Sequence, residues 1–494
     1  MGRPGGSGGC GRHAHSIDTT CTHGGAASGF WTVTGFLRRR RASQRALHGL
    51  RSVRYVEQVT GHAIEEVRLT AFKSFHGAVL PLAPLTVLIG RNSSGKSNAL
   101  DGLEVLSRLA RGDDISEALE SRRSAAGPVR GGLSGCVPHG SDRFSLGCTV
   151  STEGGPITLD VTIQVEPEVR ILEERLTGPT ATGIKPLLIS GEPSQRRHHI
   201  GAAWHNGKPG RNPSALFLND RLLTAQLAMR VGGDSEGEIH ALWAGAAVLS
   251  ALTGAFHLDP VPHLMRQYVP ARDIHLRRTA ENLSAAIGRV QRHDPELFGN
   301  LVDLLRGLVD HDIERLLVTR SELGDVMLAL DEGALGVTPA REMSDGMLRF
   351  LAITTSLLTG GDGLELGPTV IFGVDRSLTL VIEELENGLH PSQAAEVLRL
   401  VRGAAAESTT RVLITTHSPA LLSALSGDDH QGVIVCSRDR ATGTSLLTRL
   451  TELNGYATAM GAGPLGDVVT HGRLMREERG GQDYAEFDRL LGIG

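Results

Sequence analysis

The sequence predicts an α/β fold, a mixed sheet flanked by helices, with an antiparallel β subdomain and a helical insertion. Three observations point to it. The apolar run Val87-Leu88-Ile89 stops at Gly90, and a polar loop leads into a helical pattern. Short, continuously apolar runs of this kind suit strands buried on both faces. Two later runs, Leu380-Val381-Ile382 and "RVLITT" from Arg411, also end in polar residues: Glu383-Glu384 and His417. Finally, "RFSLGCTVS", "PITLDVTIQV" and "EVRILEERLTG" read as successive strands separated by turn residues.

Taken in order, residues 1–60 have no regular apolar period and are rich in Gly, Ser, His and Arg, which predicts disorder. Residues 61–177 are expected to form the first half of the core. Ile64, Val67, Leu69 and Phe72 mark a strand, and Leu100, Leu103, Leu106 and Leu109 mark one stripe of a helix over 98–109. Residues 178–335 read as an insertion, irregular and polar to about 240 and helical from about 214 to 310. There, Asp294 caps a helix with Pro295 at its first position. "IERLLVTRS" and "VMLALDEG" read as a strand pair. Residues 336–494 are expected to complete the core.

Composition sets limits. Of 494 residues, 40% are hydrophobic and 21% charged, enough for a normal core. Aromatics at 4% argue against a single-strand nucleic-acid binder built on stacking. A net charge of −5 advertises no global affinity for DNA. The five cysteines are scattered, which predicts reduced thiols and a cytoplasmic protein. Cys10, His13, His15, Cys21 and His23 match no standard zinc spacing. The longest apolar stretch, from Leu242, is too short and Gly-broken to span a membrane. Arg38–Arg41 lack the apolar segment a twin-arginine signal needs, so they read as a solvated basic patch.

Gly90-Arg91-Asn92-Ser93-Ser94-Gly95-Lys96-Ser97 fits G-x-x-x-x-G-K-[ST] between a strand and a helix. Glycines let backbone N–H groups turn inward around a phosphate, and the helix adds its positive end. Lys96 is placed to reach the β- and γ-phosphates, and Ser97 to bind Mg²⁺. The chain's other lysines are Lys73, Lys185 and Lys208, so a lysine here is no product of abundance.

Phosphoryl transfer also needs an oriented water and charge cover. Glu383, at a strand tip, can hold the Mg²⁺ water shell, and Glu384 can orient or deprotonate the attacking water. Two acids also suit an ordinary helix N-terminus. His417 can contact a γ-phosphate and handle a proton, although a lone histidine is commonly structural. In "EMSDGMLRFLA", Ser344 caps a helix whose first amides, with Asp345 and Gly346, make an anion site or simply a capped terminus.

In this order the elements resemble the ABC-type ATPases of the SMC, RecN and RecF kind, and more narrowly the AAA-like ATPases grouped with the OLD family. "GRNSSGKSN" resembles their Walker A, with Asn98 matching too. "MSDGMLRFLA" is similar to their signature, "VIEELENGLHP" to Walker B with the D-loop, and "TTHSP" to the switch histidine. The resemblance spans about Ile64 to Asp428. It implies a P-loop NTPase with an ABC-type core that hydrolyses ATP with Mg²⁺ and closes as a homodimer. Lys96, Ser97, Glu383, Glu384 and His417 would serve one ATP, and Ser344 and Gly346 would cap the γ-phosphate on the other copy. The implied setting is DNA repair or processing, or anti-phage defence.

The departures are Glu383 where Asp is commoner, Asp345 in place of a second glycine, His390 at the D-loop, and no Q-loop glutamine from Ser134 to Phe144. Two alternatives remain open: a scaffold or sensor for a partner nuclease with little hydrolysis, and, less favoured, a transporter motor. The 77 residues after His417 are too few for a Toprim nuclease domain. DNA contact is expected, if anywhere, around Arg272, Arg277, Arg278, Arg289 and Arg292.

Overall fold

The computed structural model describes residues 62–121, 127–193, 198–307, 312–367, 376–387, 389–390, 393–406, 410–461 and 463–471. All belong to the second of two compact units, Met1–Gln58 and Val59–Gly494. The segment read as disordered, the Cys/His group in it and Arg38–Arg41 lie outside the described residues.

The strands are β1 Ala63–Phe72, β2 Phe75–Pro81, β3 Leu85–Ile89, β4 Arg143–Ser151, β5 Ile157–Gln164, β6 Arg170–Thr180, β7 Gly183–Pro193, β8 His199–Trp204, β9 Ser214–Leu218, β10 Ala255–Leu258, β11 Val269–Pro270, β12 Arg315–Arg320, β13 Asp325–Asp331, β14 Val337–Pro339, β15 Leu378–Ile382, β16 Thr410–Thr415, β17 Val433–Arg438 and β18 Ser445–Arg449. The longer helices among the described residues are α1 Lys96–Leu109, α2 Glu236–Thr253, α3 Leu283–His293, α4 Pro295–Arg306, α5 Asp345–Thr359 and α6 Ala394–Ala405.

One sheet of 14 strands runs β10-β15-β16-β3-β17-β18-β2-β1-β4-β5-β6-β7-β8-β9. From β10 to β17 neighbouring strands are parallel. β17 and β18 are antiparallel, and β18 meets β2 through the parallel pair Ser445 and Phe75. From β2 to β9 every pairing is antiparallel. A second antiparallel sheet joins β12 and β11 to β13, which also carries β14.

The parallel strands are covered on both faces, as their uninterrupted apolar runs require. Leu88, Val381, Leu413 and Ile434 enter one core with Leu100, Leu103 and Leu106 of α1 and Val248 and Leu252 of α2. Val87, Ile89, Leu380, Ile382, Val412 and Ile414 enter the other with Leu348 and Leu351 of α5 and Leu398 and Val401 of α6. In β1, Ile64, Val67, Leu69 and Phe72 are all buried although two of their gaps are three residues long. Register shifts between Ile64 and Glu66, and between Arg68 and Ala71, return the side chains to one face.

The structure corrects two expectations. The stretch read as irregular to about residue 240 holds β7, β8 and β9, which extend the sheet beyond β6. In β8 the buried alternation is carried by Ile200, Ala202 and Trp204, and glycines and small side chains hide it. The stretch read as helical contains β10, only four residues long, parallel to β15. The Asp294 cap is present, its carboxylate accepting from the Leu297 N–H at 2.9 Å.

α1 is enclosed on more than its leucine stripe, because Asp101, Glu104 and Arg108 are buried as well. The Glu104 carboxylate accepts from Arg108 at 2.5 Å and from Arg278. Burial opposes its charge, but His257, Arg278 and Arg108 outweigh burial and hold its pKa at about 2. Burial pushes His257 of β10 down to about 4, and its Nε2 is shut from solvent without a partner. The unfolded chain takes up this proton below about pH 6.5 and the native chain only near 4, so stability falls as pH drops through that window. After allowance for the ring's partial exposure, the loss is on the order of 2 kcal/mol. Denaturant unfolding at pH 7 and pH 4.5 checks this, and His257→Gln should flatten the difference.

Candidate nucleotide site

β15 and β16 pair Ile382 with Ile414, and β16 and β3 pair Thr415 with Leu88. Segments nearly three hundred residues apart therefore leave the sheet at one edge: Gly90 onward, Glu383-Glu384 and Thr416-His417. The carboxyl ends of parallel strands are where open α/β sheets bind ligands.

The loop after β3 needs its glycines for space as well as for backbone freedom. Gly90 has φ 150°, and a Cβ there would lie 2.2 Å from the Cys436 carbonyl oxygen. Gly95 has φ 115°, and its Cβ would lie 2.4 Å from Ser445 Oγ. That hydroxyl donates to the Ser94 carbonyl at 2.7 Å, pinning the loop to β18. Arg91, Asn92 and Ser93 stand exposed and Ser94 is buried. No side chain caps α1, and no acid lies in its first turn, so its positive end is left to a ligand. Lys96 is buried, and its ammonium donates to the Gly90 and Arg91 carbonyls at 2.9 and 3.1 Å. Burial lowers its pKa, against the pull of Cys436, Glu384 and Glu386. Asn98 turns its amide to Ser74 Oγ at 2.9 Å.

Ser97 Oγ donates to Glu383 Oε2 at 3.3 Å. Two neighbouring oxygens on one octahedral Mg²⁺ sit about 3 Å apart, so this pair fits a shared ion. Mg²⁺ is ordinarily held by one or two carboxylates with waters and substrate phosphates. Among the described residues no group of three acids, histidines or cysteines stands close enough to hold a metal.

Glu384 is exposed and has φ 48°, a conformation that non-glycine residues keep only where surroundings impose it. Its N–H donates to Thr415 Oγ1 at 2.8 Å, and its Oε2 accepts from Asn387 Nδ2. The His417 N–H donates to Glu386 Oε1 at 2.5 Å. Burial and the Lys96 charge lower the His417 pKa, opposed by Glu386 and Glu384, which favours a neutral ring at neutral pH.

The signature-like residues lie at the N-terminus of α5. Ser344 Oγ accepts from the Met347 N–H at 3.2 Å, capping α5, and Asp345 accepts from Arg266 at 2.6 Å. Of the arginines read as possible DNA contacts, Arg277 pairs with Asp273 and Glu281, and Arg278 with Glu104, so these two charges are answered within the fold.

Sequence reading missed Arg130, Asp101, Lys73 and Glu386. Arg130 Nη2 donates to Glu383 Oε1 at 2.6 Å, its Nη1 to Oε2 at 3.2 Å and its Nε to Asp101 Oδ1 at 2.8 Å. No local signal in the sequence marks these pairings, because Asp101 falls with Glu104 and Arg108 on the polar side of the α1 pattern.

Residues 85–170 and 247–423, more than half of the chain, match the family described as "AAA domain, putative AbiEii toxin, Type IV TA system". The chain belongs to this AAA-domain family. It carries a nucleotide-binding ATPase domain of the P-loop type. None of the curated proteins matches it. Among solved structures it is similar to an Smc head bound to the C-winged helix domain of ScpA, at 12% identity, covering 78% of this chain and 97% of that one, with a TM-score of 0.43. The SMC head domain from Thermotoga maritima gives 12% identity, 78% and 98% coverage and a TM-score of 0.36. An Smc head with an extended coiled coil, bound to the C-terminal domain of ScpA and derived from Pyrococcus furiosus, gives 11%, 78%, 96% and 0.41.

Lys96→Ala should weaken binding of a fluorescent ATP analogue by about a hundredfold, the loss of a charged hydrogen-bonding group, with an unchanged circular dichroism spectrum. Wild-type affinity in that variant would contradict the cradle.

Proposed function

We propose that this AAA-domain protein hydrolyses ATP with Mg²⁺ and closes as a homodimer while ATP is bound. The observation that carries the reading is the convergence of Lys96, Ser97, Glu383, Glu384 and His417 at one sheet edge, with Ser97 and Glu383 3.3 Å apart. Residues Gly90 to Asn98 form the loop and helix start that receive the nucleotide, and their inward amides and the Lys96 ammonium offset phosphate charge. Ser97 and Glu383 would hold Mg²⁺, which supplies charge cover on the phosphate oxygens. Glu384 is the general base, and Thr415 and Asn387 fix its backbone and carboxylate. His417, favoured as the neutral form, can accept or donate a hydrogen bond toward the terminal phosphate.

In the dimer, Ser344, Asp345 and Gly346 would face the nucleotide on the other copy. Support comes from the exposure of Ser344 and Asp345 at the N-terminus of α5, where the positive end of a helix favours an anion. The setting we favour is defence over DNA repair, because the family description refers to a toxin. A cytoplasmic site of action is supported by the free thiols of Cys136, Cys148 and Cys436.

The hold of Arg130 on Glu383 favours a second reading, a slow-turnover nucleotide sensor or scaffold for a partner nuclease. One variant separates the two. Under the first reading Glu384→Gln keeps ATP binding, loses roughly 10²- to 10⁴-fold in kcat, and runs as a dimer in ATP by light scattering. Turnover equal to wild type would remove Glu384 from the chemistry and favour the sensor.

A further inference from the structure

Glu383 does not stand alone at the metal position. It is one methylene longer than the acid commoner there, and Arg130 takes hold of both its oxygens. The loop that carries Arg130 is anchored. Lys73 donates its ammonium to the Arg130 carbonyl at 2.8 Å and its own N–H to the Cys136 carbonyl at 3.0 Å, clasping the segment at two points. The same ammonium reaches Asp101 Oδ2 at 2.8 Å while Arg130 Nε occupies Oδ1. Asp101 is 2% exposed, so one buried carboxylate on the phosphate-loop helix orients both cations. Burial opposes the Arg130 charge, but hydrogen bonds and charges from Glu383 and Asp101 overcome it and raise the pKa.

The competition this sets up is geometric. Glu383 Oε2 is the oxygen within reach of Ser97, and Arg130 Nη1 sits 3.2 Å from that same oxygen. A divalent cation would bind it at about 2 Å, where the guanidinium hydrogens and their charge stand in the way. We propose that Arg130 gates divalent-cation entry: the metal takes Glu383 Oε2 only as the guanidinium lets go of it, tethered by Nε to Asp101. This rests on the metal role given to Glu383 above. It makes Arg130 a positioning residue that sets the cation concentration at which the site becomes complete. A longer acid is suited to it, because the extra methylene lets one carboxylate meet either the arginine or the metal.

The test is Mn²⁺ titrated into the full chain with a fluorescent ADP bound, free Mn²⁺ being read by its electron paramagnetic resonance signal. Arg130→Ala should tighten Mn²⁺ by about tenfold, the loss of one charge-assisted hydrogen-bonded competitor. Arg130→Lys, a point charge without the fork, should tighten it less. Should Arg130→Ala fail to fold, as its thermal melt would reveal, Arg130→Lys alone decides. Unchanged or weaker Mn²⁺ binding in the folded variants overturns the gate. Glu383→Gln separates this from failure of the metal assignment. If Glu383→Gln weakens Mn²⁺ but the Arg130 variants do not tighten it, only the gate falls. If Glu383→Gln binds Mn²⁺ as wild type does, the metal assignment falls and the gate with it.

Discussion

The parallel hydrogen bonding of β16 to β15 on one side and β3 on the other holds the site together. β16 ends at Thr415 and leads to His417, β15 leads directly into Glu383 and Glu384, and β3 launches the phosphate loop. Because strand residues alternate faces, a slip of one position would turn Leu413 and Val412 to the wrong cores and misplace every residue beyond the strand ends. The apolar runs thus do two tasks. They bury both faces of the sheet, and in doing so they fix the level at which three distant segments stop.

A second constraint lies beneath the loop. α1 carries Asp101, Glu104 and Arg108 into the interior, and each has an opposite charge at hand: Lys73 and Arg130, Arg108 and Arg278, and Glu104. Removing one partner from such a set costs far more than the set contributes to stability, so its value lies in geometry. The phosphate-loop helix is locked in rotation, with Asp101 aimed at the edge where Glu383 emerges. Ser445 and Cys436 press on the loop from β17 and β18, which leaves no room for side chains at Gly90 and Gly95. The cradle is preorganised from both sides, the condition under which fixed dipoles are most effective toward a charged ligand.

The legible parts were those whose chemistry is local. A strand, a glycine loop and a helix in that order declare the phosphate cradle, and acids or a histidine after an apolar run declare a strand edge. Less was legible where a residue's role depends on a distant partner. Arg130 lies among glycines in a loop with no periodicity, and nothing near it in the sequence names Glu383 as its partner. Asp101 and Glu104 read as the polar face of an amphipathic helix until Lys73, Arg130 and Arg278 are seen to meet them. β10 is too short to rise above its helical surroundings. β8 was hidden because its buried Ile200, Ala202 and Trp204 alternate with small or polar residues, and β7 and β9 carry no regular buried alternation at all. Arg278 looked like free surface charge for the same reason, its acid Glu104 lying on α1, whereas the partners of Arg277, Asp273 and Glu281, lie four residues to either side of it.

The claim on which the account turns is that Ser97, at the start of α1, and Glu383, just past β15, serve one metal beside a bound nucleotide. Calorimetric titration of ADP with and without Mg²⁺ gives the metal-dependent tightening in wild type, Ser97→Ala, Glu383→Gln and the double variant. Shared coordination predicts non-additivity, with the double variant losing little more than the more severe single one. Additive losses would mean that the two side chains act independently, and would contradict the site.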